Sequence, residues 1–102
     1  MANIRPGRTA LTVRILEGAG KASPSDRRAA FNNSGLTEPV RTLVNKVALD
    51  ASRITDEDIA VARRSGLSED QIFEIVVCAA VGQAARQYDK ALAALQAATG
   101  KV

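Results

Sequence analysis

Residues 66–100 read GLSEDQIFEIVVCAAVGQAARQYDKALAALQAATG, and this stretch decides the fold. Ser68 with Gln71 three residues later forms a capping box, in which two orphan N–H groups at a helix start are satisfied by side chains. Gly82 is the only glycine or proline between there and Gly100. The pattern therefore predicts one long helix, over about residues 69–98.

Apolar residues lie on two opposite sides of this helix. On a wheel of 100° per residue, one stripe contains Val77, Val81, Ala84, Tyr88, Leu92 and Leu95. The opposite side of the first half contains Ile72, Ile75, Val76 and Ala79. The segment from Ile72 to Gly82 is therefore apolar almost all round, which is typical of a helix buried on every side. Since a chain of 102 residues hardly encloses it alone, we expect this segment to form a homo-oligomer interface.

The preceding residues also favour helices separated by turns. Each predicted start has a hydroxyl side chain that can cap it, and these residues are Ser23, Thr37, Thr55 and Ser68. A further helix over residues 9–17 follows a predicted flexible arm, residues 1–8. Alternating apolar residues typical of a β-strand are absent from the sequence. The sequence therefore predicts a single all-α domain over residues 1–102, a small bundle of four to five helices with one long central helix.

Composition excludes several kinds of chemistry. The chain contains no histidine and one cysteine, which excludes Ser-His-Asp and Cys-His catalysis, an internal disulfide and a multi-cysteine zinc site. The acidic run Asp56-Glu57-Asp58 is better explained by the dipole of the helix that it begins than by a metal. We therefore expect no metal and no cofactor.

Charge and hydropathy set expectations about partners and location. The net charge is +3, but the arginines are scattered and form no basic stripe, so we do not expect nucleic-acid binding. No apolar run approaches the length of a membrane span, so we expect no membrane association. The first residues lack the apolar core of a signal peptide, which favours a cytoplasmic location.

Glu74 and Cys78 are the candidate catalytic residues. They lie one turn apart on the long helix and are therefore neighbours on one face. Desolvation is expected to raise the pKa of Glu74 toward neutrality, where a carboxyl group can shuttle protons. The alternative for Glu74 is an ion pair with an arginine from another helix or subunit. The alternative for Cys78 is a small buried hydrophobic residue, because the neighbouring carboxylate disfavours the reactive thiolate.

Two segments resemble the alkylhydroperoxidase-like, or carboxymuconolactone decarboxylase, superfamily. They are ITDEDIA at residues 54–60 and GLSEDQIFEIVV at residues 66–77, within a similarity that extends from Val47 to Leu95. The resemblance implies a helical subunit that assembles into oligomers. It also implies a peroxidase motif E-x11-C-x2-C-x3-H, with two redox cysteines and with the glutamate and histidine as a proton relay.

Only the glutamate of that motif is present. With Glu74 at its position, Arg86 and Asp89 stand at the cysteine positions and Ala93 at the histidine position. The dithiol mechanism needs a second thiol to resolve the first, so this chain cannot perform it unaided. The sequence thus favours an accessory member that binds a ligand or a partner protein. The alternative is a hydroperoxide-reducing or redox-sensing protein that uses Cys78 with Glu74, and a nucleic-acid-binding module ranks last.

Overall fold

A computed structural model describes the backbone of residues 6–100 and the side chains of residues 12–100. Five α-helices follow one another along the chain: α1 (Pro6–Glu17), α2 (Pro24–Asn32), α3 (Val40–Leu49), α4 (Asp56–Arg64) and α5 (Glu69–Thr99). A short 3-10 turn, Ala51–Arg53, separates α3 from α4 and was not predicted. No β-strand occurs among residues 6–100. The predicted all-α class with one long helix is therefore confirmed.

The helix starts follow the predicted caps with one exception. Ser23 caps α2, and Thr55 and Ser68 form capping boxes with Asp58 and Gln71. The prediction that Thr37 caps α3 is wrong.

At the start of α3, Pro39 occupies the cap position without a side-chain hydrogen bond. The Glu38 carboxylate instead accepts hydrogen bonds from the backbone N–H and the hydroxyl group of Thr42, at 3.1 and 2.6 Å. The helix dipole also favours a carboxylate near a helix start, and the glutamate side chain is longer than that of threonine.

Helix α1 begins earlier than the sequence predicts. It starts at Pro6 rather than at Thr9, so Pro6, Gly7 and Arg8 are helical. Proline is well suited to a first helical position, because its missing N–H would have no partner there. Residues 1–5 of the predicted arm lie outside the described residues.

Helix α5 is the centre of the bundle, and each of the other four α-helices contacts it. The core consists of side chains from α2, α3, α4 and α5 with one alanine of the α1–α2 linker: Ala22, Ala30, Leu43, Val44, Val47, Ala62, Ile72, Ile75, Cys78 and Ala79. On α5 these core residues share one face, which is the face opposite to the longer apolar stripe of the sequence. The rest of the molecule therefore packs on one side of α5.

Helix α5 and the end of α2 approach each other closely at Gly82. A Cβ atom on Gly82 would lie 1.9 Å from the carbonyl oxygen of Phe31, so only glycine fits there. One turn later, the Arg86 guanidinium donates a hydrogen bond to the same oxygen. Carbonyl groups in the last turn of a helix have no partner within that helix, so Arg86 caps the C-terminus of α2.

The second half of α5 extends beyond the bundle. Its last buried residue is Gly82, and from Gln87 to Gly100 every residue except Leu92 is exposed. The molecule measures 51 × 29 × 19 Å, and its long dimension is close to the roughly 46 Å length of a 31-residue helix.

The segment from Ile72 to Gly82 is enclosed on one side within the chain. Five of its residues are buried: Ile72, Ile75, Cys78, Ala79 and Gly82. Phe73 and Ala80 on its other side are exposed. The expectation that this segment is covered on every side is therefore not met by the single chain, and its role as an oligomer interface stays a prediction.

Candidate functional site

Glu74 binds the linker that joins α1 to α2. Both of its carboxylate oxygens accept a hydrogen bond from the backbone N–H of Lys21 at 2.9 Å, and Oε1 also accepts one from Ala22 at 2.7 Å. These bonds connect positions more than 50 residues apart in the chain. Glu74 therefore fixes the linker, and with it the start of α2, to the middle of the fold.

The local sequence explains why a carboxylate fits there. Residues 18–23 lie outside any helix, so their N–H groups need partners from elsewhere. A Cβ atom on Gly20 would lie 2.8 Å from Oε1 of Glu74, so the absence of a side chain at Gly20 leaves room for the carboxylate. Gln71, one turn earlier on α5, donates its side-chain amide to the Lys21 carbonyl group at 3.3 Å.

These hydrogen bonds favour the ionised form of Glu74. Donation from the backbone of Ala22 and Lys21 lowers its pKa below the ordinary value, and the positive charges of Arg27 and Lys21 contribute in the same direction. The expectation of a raised pKa is therefore wrong, because backbone N–H groups outweigh desolvation. An ionised carboxylate whose two oxygens already accept hydrogen bonds is poorly suited to shuttle protons at neutral pH.

Cys78 is enclosed by the bundle. Its residue is 1% exposed, and its thiol donates a weak hydrogen bond to the carbonyl group of Ile15, with Sγ and O separated by 3.7 Å. Burial raises the pKa of the thiol, Glu74 raises it further and Arg27 opposes them. The alternative interpretation, that Cys78 is a small buried hydrophobic residue, is therefore the one that the structure favours.

Arg27 of α2 is the residue of this site that sequence reasoning missed. It is 5% exposed, and its Nη1 donates to the same Ile15 oxygen at 3.1 Å. Its Nε is buried and has no hydrogen-bond partner among the described residues. The sequence offers no signal for this role, because it does not distinguish Arg27 from the adjacent Arg28. Arg28 is exposed and pairs with Glu17 on the surface.

Glu74, Cys78 and Arg27 together form a joint between α1, α2 and α5. The two predicted catalytic residues do lie side by side, as one turn of helix requires. Their environments shift their pKa values in opposite directions. The Glu74 carboxylate is ionised and bound to backbone N–H groups, whereas the Cys78 thiol is protonated and buried. The arrangement stabilises the fold, and it lacks the exposed low-pKa thiol that peroxide reduction needs.

The acidic run at the start of α4 also has a structural use. The Asp58 carboxylate accepts two hydrogen bonds from Lys46 Nζ, at 2.9 and 3.1 Å, and one from the Thr55 N–H at 2.9 Å. These bonds lower the pKa of Asp58. Over the residues that the structure describes, no three acidic, histidine or cysteine side chains are grouped so that they could bind a metal ion.

A second candidate site is the side of α5 that faces away from the bundle. Phe73 is 69% exposed near the start of α5 and Leu95 is 59% exposed near its end. We call this surface the open face of α5, and its residues are Phe73, Val77, Ala80, Ala84, Gln87, Tyr88, Ala91, Ala94, Leu95 and Ala98. None of them is charged. Such a surface on one helix is typical of a protein–protein contact.

A shallow apolar pocket adjoins the open face. It has a volume of about 260 Å³ and is lined by Ile59 of α4 and by Glu69, Ile72, Phe73 and Val76 of α5. Its walls are almost entirely aliphatic and aromatic, which suits an apolar side chain or a small apolar ligand.

Comparisons with models of protein families, with curated proteins and with solved structures find no match to this chain. No helix in residues 6–100 is both long enough and apolar enough to cross a bilayer.

Proposed function

We propose that this chain is a small oligomeric helical protein of the alkylhydroperoxidase-like type that acts by binding rather than by thiol chemistry. It acts through the open face of α5, which binds copies of the same chain and through which the oligomer serves as an accessory protein. Cys78 and Glu74 then have structural roles. The observation that carries the proposal is the exposure of an uncharged apolar face along α5 while the only thiol is enclosed.

The exposed apolar residues support binding. Of the five large hydrophobic residues exposed in the described chain, Phe73, Tyr88 and Leu95 lie on the open face. Covering a large apolar side chain lowers the free energy by about 1.5–3 kcal/mol relative to leaving it in water. A partner on this face would therefore gain most of its affinity from these side chains.

The roles of the residues at the positions of the peroxidase motif support an accessory function. Arg86, which stands where the resemblance places a cysteine, caps the end of α2 in this fold. Glu74, the one motif residue that is retained, binds backbone N–H groups. These residues stabilise the bundle, and a resemblance in fold does not by itself bring the activity with it.

The experiment that tests the binding role is a mass measurement by sedimentation at micromolar concentration. We expect the native protein to have the mass of two or more chains. Phe73→Glu combined with Leu95→Glu should reduce it to that of one chain, because two charges would be desolvated in the contact. Leu49→Glu is the matched control, since Leu49 is 67% exposed and lies on α3. A single-chain mass for the native protein would refute the proposal.

Thiol reactivity separates this proposal from the redox alternative. We expect Cys78 in the native protein to react with a disulfide reagent at least about a hundredfold more slowly than in denaturant, because the bundle must open first. We also expect no hydroperoxide consumption above that of Cys78→Ser. Rapid native labelling together with peroxide consumption that Cys78→Ser abolishes would establish the enzyme instead.

A further inference from the structure

We propose that the open face of α5 pairs with the open face of a second copy of this chain, with the two α5 helices antiparallel. This inference rests on the proposed function, because it assigns the occupant and the orientation of the binding surface.

The spacing of the open face fits a partner helix. Eight positions alternate in steps of four and three residues: Phe73, Val77, Ala80, Ala84, Gln87, Ala91, Ala94 and Ala98. This repeat keeps a seam facing a second helix, with each side chain inserted between those of the partner. Seven of the eight residues are apolar, and none is charged.

The sizes of these residues select the antiparallel direction. Phe73 and Val77 lie in the first half of α5, whereas Ala91, Ala94 and Ala98 lie in the second half. Antiparallel copies place Phe73 and Val77 of one helix opposite Ala98 and Ala94 of the other, which brings the volumes of these layers closer together. Parallel copies would place Phe73 against Phe73 and Val77 against Val77, with layers of alanine alone at the other end.

Charge favours the same direction. Glu69 and Asp70 in the first turn of α5 are exposed and acidic. Antiparallel pairing keeps the two acidic starts roughly a seam length apart and aligns the helix dipoles favourably. Parallel pairing would bring the two acidic starts together.

The size of the contact suits a second copy. From Phe73 to Ala98 the seam is roughly 38 Å long at 1.5 Å per residue. With Tyr88 and Leu95 beside it, the open face supplies ten side chains of each chain to this contact. The pair would also cover the second half of α5, which is of marginal stability as a helix alone in water.

Cysteine cross-linking tests the direction. Aligning Phe73 with Ala98 of the other copy places Ala80 opposite Ala91. We expect a mixture of Ala80→Cys and affinity-tagged Ala91→Cys to form a disulfide-linked mixed dimer on mild oxidation. Each variant alone should not link, because identical positions would be roughly 15 Å or more apart along the axis, beyond disulfide reach. Native protein is the control, since Cys78 is buried.

The outcomes separate the two proposals. Efficient linking of Ala91→Cys to itself would overturn the antiparallel direction in favour of a parallel pair. An absence of links in every combination, with a mass of two or more chains retained, would overturn the pairing through α5 and leave oligomerisation standing. A native mass of one chain would refute the proposed function itself.

Discussion

Replacing Gly82 by alanine is expected to lower the melting temperature by roughly 10–20 °C. The added Cβ would lie 1.9 Å from the Phe31 carbonyl oxygen, so α2 and α5 must move apart. That movement also lengthens the hydrogen bond from Arg86 to the same oxygen. We expect a loss of roughly 3 kcal/mol in the free energy of unfolding, measured by thermal and denaturant melts.

The control for Gly82→Ala isolates helix propensity. In an exposed helical position, alanine is favoured over glycine by about 1 kcal/mol, so propensity alone would make Gly82→Ala stabilising. Ala93→Gly, at an exposed position of the same helix, measures this effect in the reverse direction. We expect Ala93→Gly to lower stability by about 1 kcal/mol or less. A Gly82→Ala protein as stable as the native one would show that the close approach of α2 and α5 is not needed.

Glu74→Gln is expected to lower the free energy of unfolding by about 2 kcal/mol at pH 7, equivalent to roughly 10 °C in melting temperature. The glutamine amide keeps one acceptor oxygen, but it places a donor NH₂ group against the N–H groups of Lys21 or Ala22. The charge that strengthens these hydrogen bonds is also lost. Asp70→Asn is the matched control, since it removes the same charge from an exposed position in the first turn of α5.

The effect of Glu74→Gln should depend on pH. The pKa of Glu74 is lower in the folded chain than its ordinary value of 4.5, so its stabilising contribution is complete above that pH. The contribution is lost as the pH falls through the lower folded pKa, because the carboxyl group is then protonated in both states. The difference in melting temperature between native protein and Glu74→Gln should therefore shrink from pH 7 to pH 3. A difference that is independent of pH would contradict the ionised state of Glu74.

Local signals in the sequence predicted most of the helix starts. The capping boxes at Thr55 and Ser68 depend only on residues within one turn, so a reader of the sequence has all the information needed. Thr37 failed because α3 begins at Val40, three residues further along, where the Glu38 carboxylate accepts from the Thr42 N–H in the first turn. The long helix was equally predictable, since Gly82 is the only glycine or proline between its capping box and Gly100.

The character of the candidate site was not predictable, because it depends on contacts between distant parts of the chain. The pKa of Glu74 is set by N–H groups of the α1–α2 linker, and no pattern in the sequence places that linker beside α5. The position of Arg27 depends likewise on how α2 packs. The periodicity of α5 showed two apolar sides but did not indicate which side the chain itself covers.

The position of α5 at residues 69–99 has a consequence for biosynthesis. Each of the other α-helices contacts α5, and the core needs side chains from it, so the earlier helices have little to pack against before α5 is made. A nascent chain leaving the ribosome would carry α1 to α4 without a core until translation has passed Gly82. Folding of this bundle therefore waits for α5, and a ribosome stalled before α5 would present an unfolded chain to chaperones and proteases.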